Sequence, residues 1–146
     1  MIFNYIWQQE KAVNEIDVIS HPFNREKLKQ LEQTLQHSTT ISVIDPKNNR
    51  TKLLAVPLIE TITAMGHQSK ICTTAGERFF LSKKLKELGD LEQQQLFRIN
   101  NSTILNLTHA ASFAAGQHAR LEVQTKTGNT YIVSRHYAKQ IKERFR

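Results

Sequence analysis

The chain has 146 residues, of which 39% are hydrophobic and 23% are charged, a composition typical of a protein that buries one core. Its formal net charge is +7, and its single cysteine excludes an intramolecular disulfide framework and a cysteine-based zinc site. No apolar run approaches the roughly 20 residues of a membrane helix, and the first residues lack the basic region and cleavage site of a secretory signal, so we expect a cytoplasmic protein.

The positive charge is concentrated in one part of the chain. Residues 1–40 contain four basic and five acidic residues, a net charge of −1. Residues 41–146 contain 16 basic and eight acidic residues, a net charge of +8. Such an asymmetry favours a polyanionic partner, nucleic acid above all. A basic protein without such a partner is the alternative that charge alone leaves open.

The first 40 residues are predicted to form a small ββα extension. Residues 2–7 and 15–20 are β-rich and apolar, which predicts two strands. Asn24 is a candidate N-cap of a helix over 25–36, whose apolar stripe consists of Leu28, Leu31 and Leu35. This stripe either packs against the rest of the chain or forms a dimer contact.

After the linker-like residues 37–40, the pattern becomes that of short strands separated by turns. Residues 64–70 are predicted to be a loop. The predicted strands are 41–44, 50–56, 58–62, 71–74, 78–81, 97–99, 103–105, 112–115, 121–125 and 131–133.

Two helices are predicted among these strands. Ser82 is a candidate cap of a short helix over 83–88, which Gly89 would end, and Asp90 is a candidate cap of a further turn through Gln95. Ser134 is the candidate cap of a final helix, whose apolar stripe consists of Tyr137, Ala138, Ile141 and Phe145. Because strands and helices do not alternate regularly, we predict a mainly β fold with short α-helices.

The sequence lacks the usual signatures of catalysis and of metal or cofactor binding. Its five glycines are isolated, so no phosphate-binding loop is present. Its six histidines are scattered, and no serine lies in a nucleophile elbow. We therefore expect a protein that is not an enzyme and that holds neither a metal nor a cofactor.

Four short segments in one order resemble the LytTR DNA-binding domain. They are Leu58-Ile59-Glu60, Leu85-Lys86-Glu87-Leu88, the stretch from Phe97 to Asn106 (FRINNSTILN) and Val133-Ser134-Arg135-His136-Tyr137. The resemblance places this domain at residues 41–146. It implies a mainly β fold of about ten short strands, with double-stranded DNA read by loops, and a role in bacterial transcriptional regulation.

The resemblance also implies where DNA is contacted. The three places are the loop after an early strand, the Asn-Ser turn and the Ser-Arg pair before the last helix. Asn100 stands where the family often has histidine. The implied DNA-contacting residues are His67, Gln68, Lys70, Asn100, Asn101, Ser102, Ser134, Arg135 and His136.

Elementary chemistry supports some of these roles and leaves others open. Asparagine can bind adenine bidentately and arginine can bind guanine, but Arg135 could equally grip a phosphate. Lys83 and Lys84 are candidate phosphate contacts or merely a solvated face. Arg98, placed between two apolar residues of a strand, either contacts DNA or braces the neighbouring turn.

The expected partner is double-stranded DNA with repeated sites, on which the protein would bind as a homodimer. The first 40 residues are too few for a receiver domain, so the chain resembles the stand-alone regulators, some of which have a membrane-bound inhibitor protein. Two alternatives remain, a basic module for RNA or single strands and a protein-interaction module. The first would require exposed aromatic residues on a sheet.

Overall fold

The computed structural model describes residues 1–13, 15–36 and 39–145. Two compact units divide the chain, Met1–His37 and Ser38–Arg146. Two residues of the predicted linker, His37 and Ser38, and the side chain of Leu35 in the predicted leucine stripe lie outside the described residues.

The first unit contains one α-helix, α1 (Arg25–Gln36), preceded by a 3-10 turn at Pro22–Asn24. The predicted helix is therefore confirmed. Asn24 lies inside this 3-10 turn and not at an N-cap position, and its amide donates a hydrogen bond to Ser20 Oγ at 2.8 Å. The cap of the 3-10 turn is His21, whose Nδ1 accepts from the backbone N–H of Phe23 at 3.1 Å.

The two strands predicted in the first unit are wrong. Residues 2–7 and 15–20 form no strand, and their apolar side chains are exposed. A β-rich stretch becomes a strand only when a neighbouring strand pairs with its backbone, and a lone pair of strands has little stability in water. The predicted ββα extension is thus a helix preceded by irregular chain.

In the described part of the second unit, ten strands and one α-helix are present, which confirms the mainly β prediction. The strands are β1 (Thr40–Asp45), β2 (Arg50–Ala55), β3 (Ile59–Met65), β4 (Gln68–Thr73), β5 (Arg78–Leu81), β6 (Leu96–Asn100), β7 (Thr103–Asn106), β8 (Ala110–Ala115), β9 (Leu121–Thr125) and β10 (Thr130–Val133). The helix is α2 (Arg135–Arg144). Short 3-10 helices lie at Val56–Leu58, Leu85–Gln94, Leu107–His109 and Gln117–Ala119.

The strands form two antiparallel sheets. The larger sheet has seven strands in the order β2-β1-β5-β4-β3-β7-β6, and the smaller has three in the order β10-β9-β8. β2 therefore lies at one edge of the larger sheet, and β6 lies at the other.

The predicted loop over 64–70 is instead a tight hairpin. β3 continues to Met65, β4 begins at Gln68, and these two residues pair across the turn. Gly66 has φ +62, and glycine at the first central position is what a two-residue type II′ hairpin requires. The turn therefore holds His67 at the tip of a rigid hairpin.

The segment after β5 also differs from its prediction. Instead of an α-helix over 83–88 capped by Ser82, a 3-10 segment runs from Leu85 to Gln94, with a kink at Leu88. It ends at Gln95, where φ is +70, and not at Gly89. Leu85, Leu88 and Leu91 are spaced by three and all buried, and a helix with three residues per turn places residues with that spacing on one face.

Two hydrophobic clusters flank β7. Ile104 lies in the cluster formed by the larger sheet and the leucines of the 3-10 segment. Leu105 lies in the other cluster, which joins β6, the smaller sheet and α2. The predicted apolar stripe of α2 is confirmed, since Ala138 and Ile141 are buried, with Tyr137 and Phe145 packed beside them.

A buried carboxylate connects the two sheets. Glu60 on β3 is 2% exposed and accepts hydrogen bonds from Thr127 at 2.5 Å, Asn129 at 2.8 Å and Tyr131 at 2.7 Å. Burial alone would raise the pKa of Glu60, but the hydrogen bonds donated by Thr127, Tyr131 and Asn129 together outweigh it and lower the pKa. The Glu60 carboxyl group therefore stays ionised, and its hydrogen bonds hold the β9–β10 hairpin against the larger sheet.

Candidate nucleic-acid interface

Several predicted site residues lie at one end of the larger sheet. β3 and β6 are both antiparallel to β7, so they run in the same direction. The turn after β3, containing His67, and the turn after β6, containing Asn101 and Ser102, consequently lie at the same end. β5 is antiparallel to β4 in a pairing that ends at Ser69 and Leu81, so Lys83 follows at this end too.

Hydrogen bonds connect these neighbouring segments. The backbone N–H of Ala64 donates to the carbonyl oxygen of Ser102 at 2.8 Å. The hydroxyl of buried Ser69 donates to the carbonyl oxygen of Lys83 at 2.6 Å. The His67 hairpin is thereby held between the Asn-Ser turn on one side and the segment after β5 on the other.

The third predicted segment, before α2, is brought to the same place. The amide of Asn100 donates to the carbonyl oxygen of Ile132 at 3.1 Å. The backbone N–H of Ser134 donates to the carbonyl oxygen of Ile99 at 2.8 Å. These two bonds join the end of β10 to the end of β6 and set Arg135 beside the Asn-Ser turn.

Asn100 has a second role inside its own turn. Its Oδ1 accepts from the backbone N–H of Ser102 at 2.9 Å and from the Ser102 hydroxyl at 3.0 Å. Because Nδ2 binds Ile132, both the nitrogen and the oxygen of the Asn100 side-chain amide form hydrogen bonds within the protein. Its side chain is therefore positioned to shape the turn.

Arg98 braces the same turn through backbone carbonyl groups. Its Nε donates to the carbonyl oxygen of Asn100 at 3.1 Å, and its Nη2 donates to that of Asn101 at 2.6 Å. Phe97 and Ile99 are buried in the cluster with α2, so Arg98 points away from it as the alternation predicts. Of the two roles that the sequence left open for Arg98, these contacts favour bracing.

The side chains of His67, Asn101 and Arg135 are exposed. Among the described residues, none of the three is bound to another side chain or to the backbone by a hydrogen bond or ion pair. Ser134 is the N-cap residue of α2, as predicted, but its hydroxyl makes no capping hydrogen bond. These groups are available to a ligand.

The remaining predicted contacts lie around this group. Gln68 and Lys83 are exposed, whereas Lys70 and Lys84 are half-buried. Lys84 precedes the 3-10 segment, where its backbone N–H lies 3.5 Å from Glu87 Oε1. His136 is exposed, and its ring packs edge-on against Tyr137 at 4.8 Å between centroids.

Two further residues, which the sequence did not indicate, line a concave surface beside the Asn-Ser turn. His118 and Arg120 join Asn101, Ser102 and Arg135 around a concavity that also includes Asn100, Ser134 and His136. The hairpin turn at Thr127-Gly128-Asn129 could have indicated this, since it sets the pairing of Leu121 with Val133. That pairing places Arg120, one residue earlier, opposite Ser134.

The charges of the second unit are not neutralised by one another. Within residues 39–145, no ion pair forms between a basic and an acidic side chain. One of the eight acidic residues of this part, Glu60, is buried. The exposed surface is accordingly more basic than the composition indicates.

Membrane and metal signatures are absent from the part of the chain that the structure describes. No helix in it is both long and apolar enough to span a bilayer. No group of three or more histidine, cysteine, aspartate or glutamate side chains in it could hold a metal ion.

Comparison with known proteins gives one family and one fold. Residues 49–146 match the model of the LytTr DNA-binding domain. A solved LytTr DNA-binding domain from Bacillus cereus superimposes with a TM-score of 0.63 at 14% sequence identity, covering 73% of this chain and 96% of that one. No curated protein matches the chain. With its matched fold and a family model spanning most of its length, the chain belongs to the LytTr DNA-binding domain family.

Proposed function

We propose that the protein is a sequence-specific regulator of transcription that reads double-stranded DNA through loops. The observation that carries the proposal is the convergence of His67, Asn101 and Arg135, from three separate segments, at one end of the second unit. Each presents an exposed side chain on a hydrogen-bonded backbone. Membership of a DNA-binding family supports the choice of ligand.

The chemistry of the three side chains suits base edges in the major groove. Asn101 can bind adenine bidentately, and Arg135 can bind guanine O6 and N7. His67 stands at the tip of a two-residue turn, from which it can enter a groove. The rigid backbone below each side chain limits the entropy lost when they bind.

The basic surface supplies affinity, whereas these side chains supply specificity. Lysines such as Lys83 and Lys84 are proposed to neutralise phosphates beside the groove. If about five to eight phosphates are contacted, the logarithm of affinity should fall against the logarithm of salt concentration with a slope of roughly −4 to −7.

Selection from a random duplex library tests the proposal. The wild type and Arg135→Ala would be run side by side at about 150 mM salt. Enrichment of a spaced repeat by the wild type, lost by the variant, is the expected result. If both proteins instead bind all duplexes equally and enrich none, the proposed site is only a basic surface that binds DNA of any sequence.

A single-stranded or RNA ligand is disfavoured by the composition of the concavity. Stacking platforms for unpaired bases need exposed aromatic rings. The residues that line this surface include no phenylalanine, tyrosine or tryptophan. Competition between a duplex and its separated strands discriminates the two ligands, and preference for the single strand would contradict the proposal.

We also propose that two copies of the protein bind on repeated sites in the DNA.

The first unit is proposed to contact a protein partner. Its exposed apolar side chains include Phe3, Tyr5 and Trp7, with Tyr5 and Trp7 stacked at 5.9 Å. Exposed aromatic patches are typical of protein interfaces. We expect this partner to be a membrane-bound inhibitor, as some stand-alone family members have. We expect the protein itself to lie in the cytoplasm of a bacterium. Replacing Trp7 with alanine should then weaken partner binding while DNA affinity is unchanged.

A further inference from the structure

The loop between β8 and β9 has no role in the function proposed above, although it borders the same surface. It consists of residues 116–120, all of them exposed. At its base, the backbone N–H of Gly116 donates to the carbonyl oxygen of Arg120 at 2.9 Å. This bond closes the loop, so the five residues project as one unit.

Strand pairing places the end of this loop near the start of α2. Leu121 pairs with Val133 at the end of β10, directly before Ser134. Arg120 consequently lies next to Ser134, and it lines the same concavity as Arg135. At the other end of the helix, Phe113 of β8 stacks on Phe145, with ring centroids 4.5 Å apart, which packs β8 against α2.

The backbone of the loop is held in an unfavourable conformation. His118 has φ +56 and Ala119 has φ +61. Two successive residues with a Cβ in the left-handed region are uncommon, and each has an energetic cost that the surrounding structure must offset. This left-handed conformation turns the backbone sharply just before Arg120.

The concavity contains donors and no carboxylate. Its lining residues include Arg120, Arg135, Ser102 and Ser134, whose side chains carry guanidinium and hydroxyl groups. Within the described residues neither arginine forms an ion pair. Guanidinium and hydroxyl groups without a competing anion are the groups that bind phosphate oxygens in protein–DNA complexes.

We propose that the loop of residues 116–120 is a fourth DNA-contacting segment and that Arg120 binds a phosphodiester of the DNA backbone. The inference rests on the proposed function, because it assigns a partner to a surface next to the base-reading side chains. Side chains that enter a groove lie between two rows of phosphates. A cation beside Asn101 and Arg135 therefore meets the backbone of the same groove.

The test compares the charge-removing variant Arg120→Gln with Arg50→Gln in the full chain. Arg50 is an exposed arginine on β2, at the far edge of the larger sheet from β6 and β7. Affinity is measured on the duplex selected by the wild type and on a scrambled duplex, over a series of salt concentrations. Melting temperatures establish that each variant folds.

A phosphate contact predicts a specific pattern. Arg120→Gln should weaken binding to both duplexes alike, by about five- to tenfold, and reduce the magnitude of the salt slope by about 0.9. Arg120→Lys should retain the slope, because the charge remains. Arg50→Gln should behave as the wild type does.

Each other result would overturn the inference. Wild-type affinity and slope in Arg120→Gln would show that the loop does not contact DNA. A loss confined to the selected duplex, with an unchanged slope, would indicate base reading instead of a phosphate contact. Failure of the proposed function itself is distinguishable, because the wild type would then enrich no sequence at all.

Discussion

The guanidinium group of Arg98 donates a 2.6 Å hydrogen bond to the carbonyl oxygen of Asn101, the exposed residue at the tip of the β6–β7 turn. A second bond, from Nε, reaches the carbonyl oxygen of Asn100 at 3.1 Å. The turn is therefore fixed by the Arg98 guanidinium group, which binds two of its carbonyl oxygens, and by the Asn100 side chain, which binds Ser102. The exposed amide of Asn101 is presented on a backbone with little freedom.

Replacing Arg98 should weaken DNA binding indirectly. Arg98→Lys keeps the charge but loses the planar fork that reaches two carbonyl oxygens. Hydrogen bonds to charged groups contribute about 1.5–3 kcal/mol, so we expect reduced thermal stability together with reduced affinity for the selected duplex. Arg98→Lys with an unchanged melting temperature and wild-type affinity for the selected duplex would contradict the bracing role.

Arg135 and Lys84 should differ in how their loss depends on sequence. Arg135→Ala is expected to cost about 1–3 kcal/mol on the selected duplex and little on a scrambled one. Lys84→Ala should weaken both duplexes equally, because a phosphate contact is independent of sequence. Binding isotherms on the two duplexes measure this, and an Arg135→Ala protein with wild-type affinity for the selected duplex would refute its role.

Glu60 should make stability depend on pH. Its pKa is lowered in the folded protein from an ordinary value of 4.5. The carboxylate therefore stabilises the fold above the unfolded-state pKa, and this contribution is lost as the pH falls through the folded-state pKa. Glu60→Gln should cost about 1–3 kcal/mol at neutral pH, and the difference from wild type should shrink in acid.

Denaturant unfolding at several pH values measures the Glu60 effect. Glu122→Gln is the matched control, since Glu122 is an exposed carboxylate on β9. The control should unfold as the wild type does at each pH. An equal loss at every pH for Glu60→Gln would mean that the ionised form makes no special contribution.

The turn that presents His67 should tolerate only glycine at its first central position. Gly66→Ala introduces no clash, because an added Cβ meets nothing within 4 Å, but φ is +62 there. We expect a loss of about 1 kcal/mol and weaker DNA binding as His67 shifts. Gly89→Ala is the control, since its surroundings are equally open and its φ is ordinary. Equal melting temperatures for the two variants would show that the turn relaxes without cost.

Local patterns in the chain were sufficient to predict most of the second unit. The alternation of apolar residues and the turns at Thr127-Gly128-Asn129 and Asn100-Asn101-Ser102 predicted strands near their observed bounds. Such signals work because a hairpin between neighbouring strands depends on residues close together in the chain. The same reasoning correctly oriented Arg98 away from Phe97 and Ile99.

The errors occurred where a local pattern had to be completed by a distant partner. Residues 2–7 have β-rich composition but no strand pairs with them. The leucines at 85, 88 and 91 form a 3-10 segment because the larger sheet covers one face of it. The loop at Gly66 is shorter than predicted, since β3 and β4 pair as far as Met65 and Gln68 and the backbone N–H of Ala64 donates to the distant carbonyl oxygen of Ser102.

Residue types indicate that Asn101 and Arg135 are able to bind base edges, and the family resemblance adds His67 to them. Their gathering at one end of the sheet, and the addition of Arg120 to them, depends on long-range contacts: Asn100 to Ile132, Ser134 to Ile99, and Glu60 to the β9–β10 hairpin. Such contacts join residues 32 to 71 positions apart. They require both sheets to be packed together, so no short stretch of the chain encodes them.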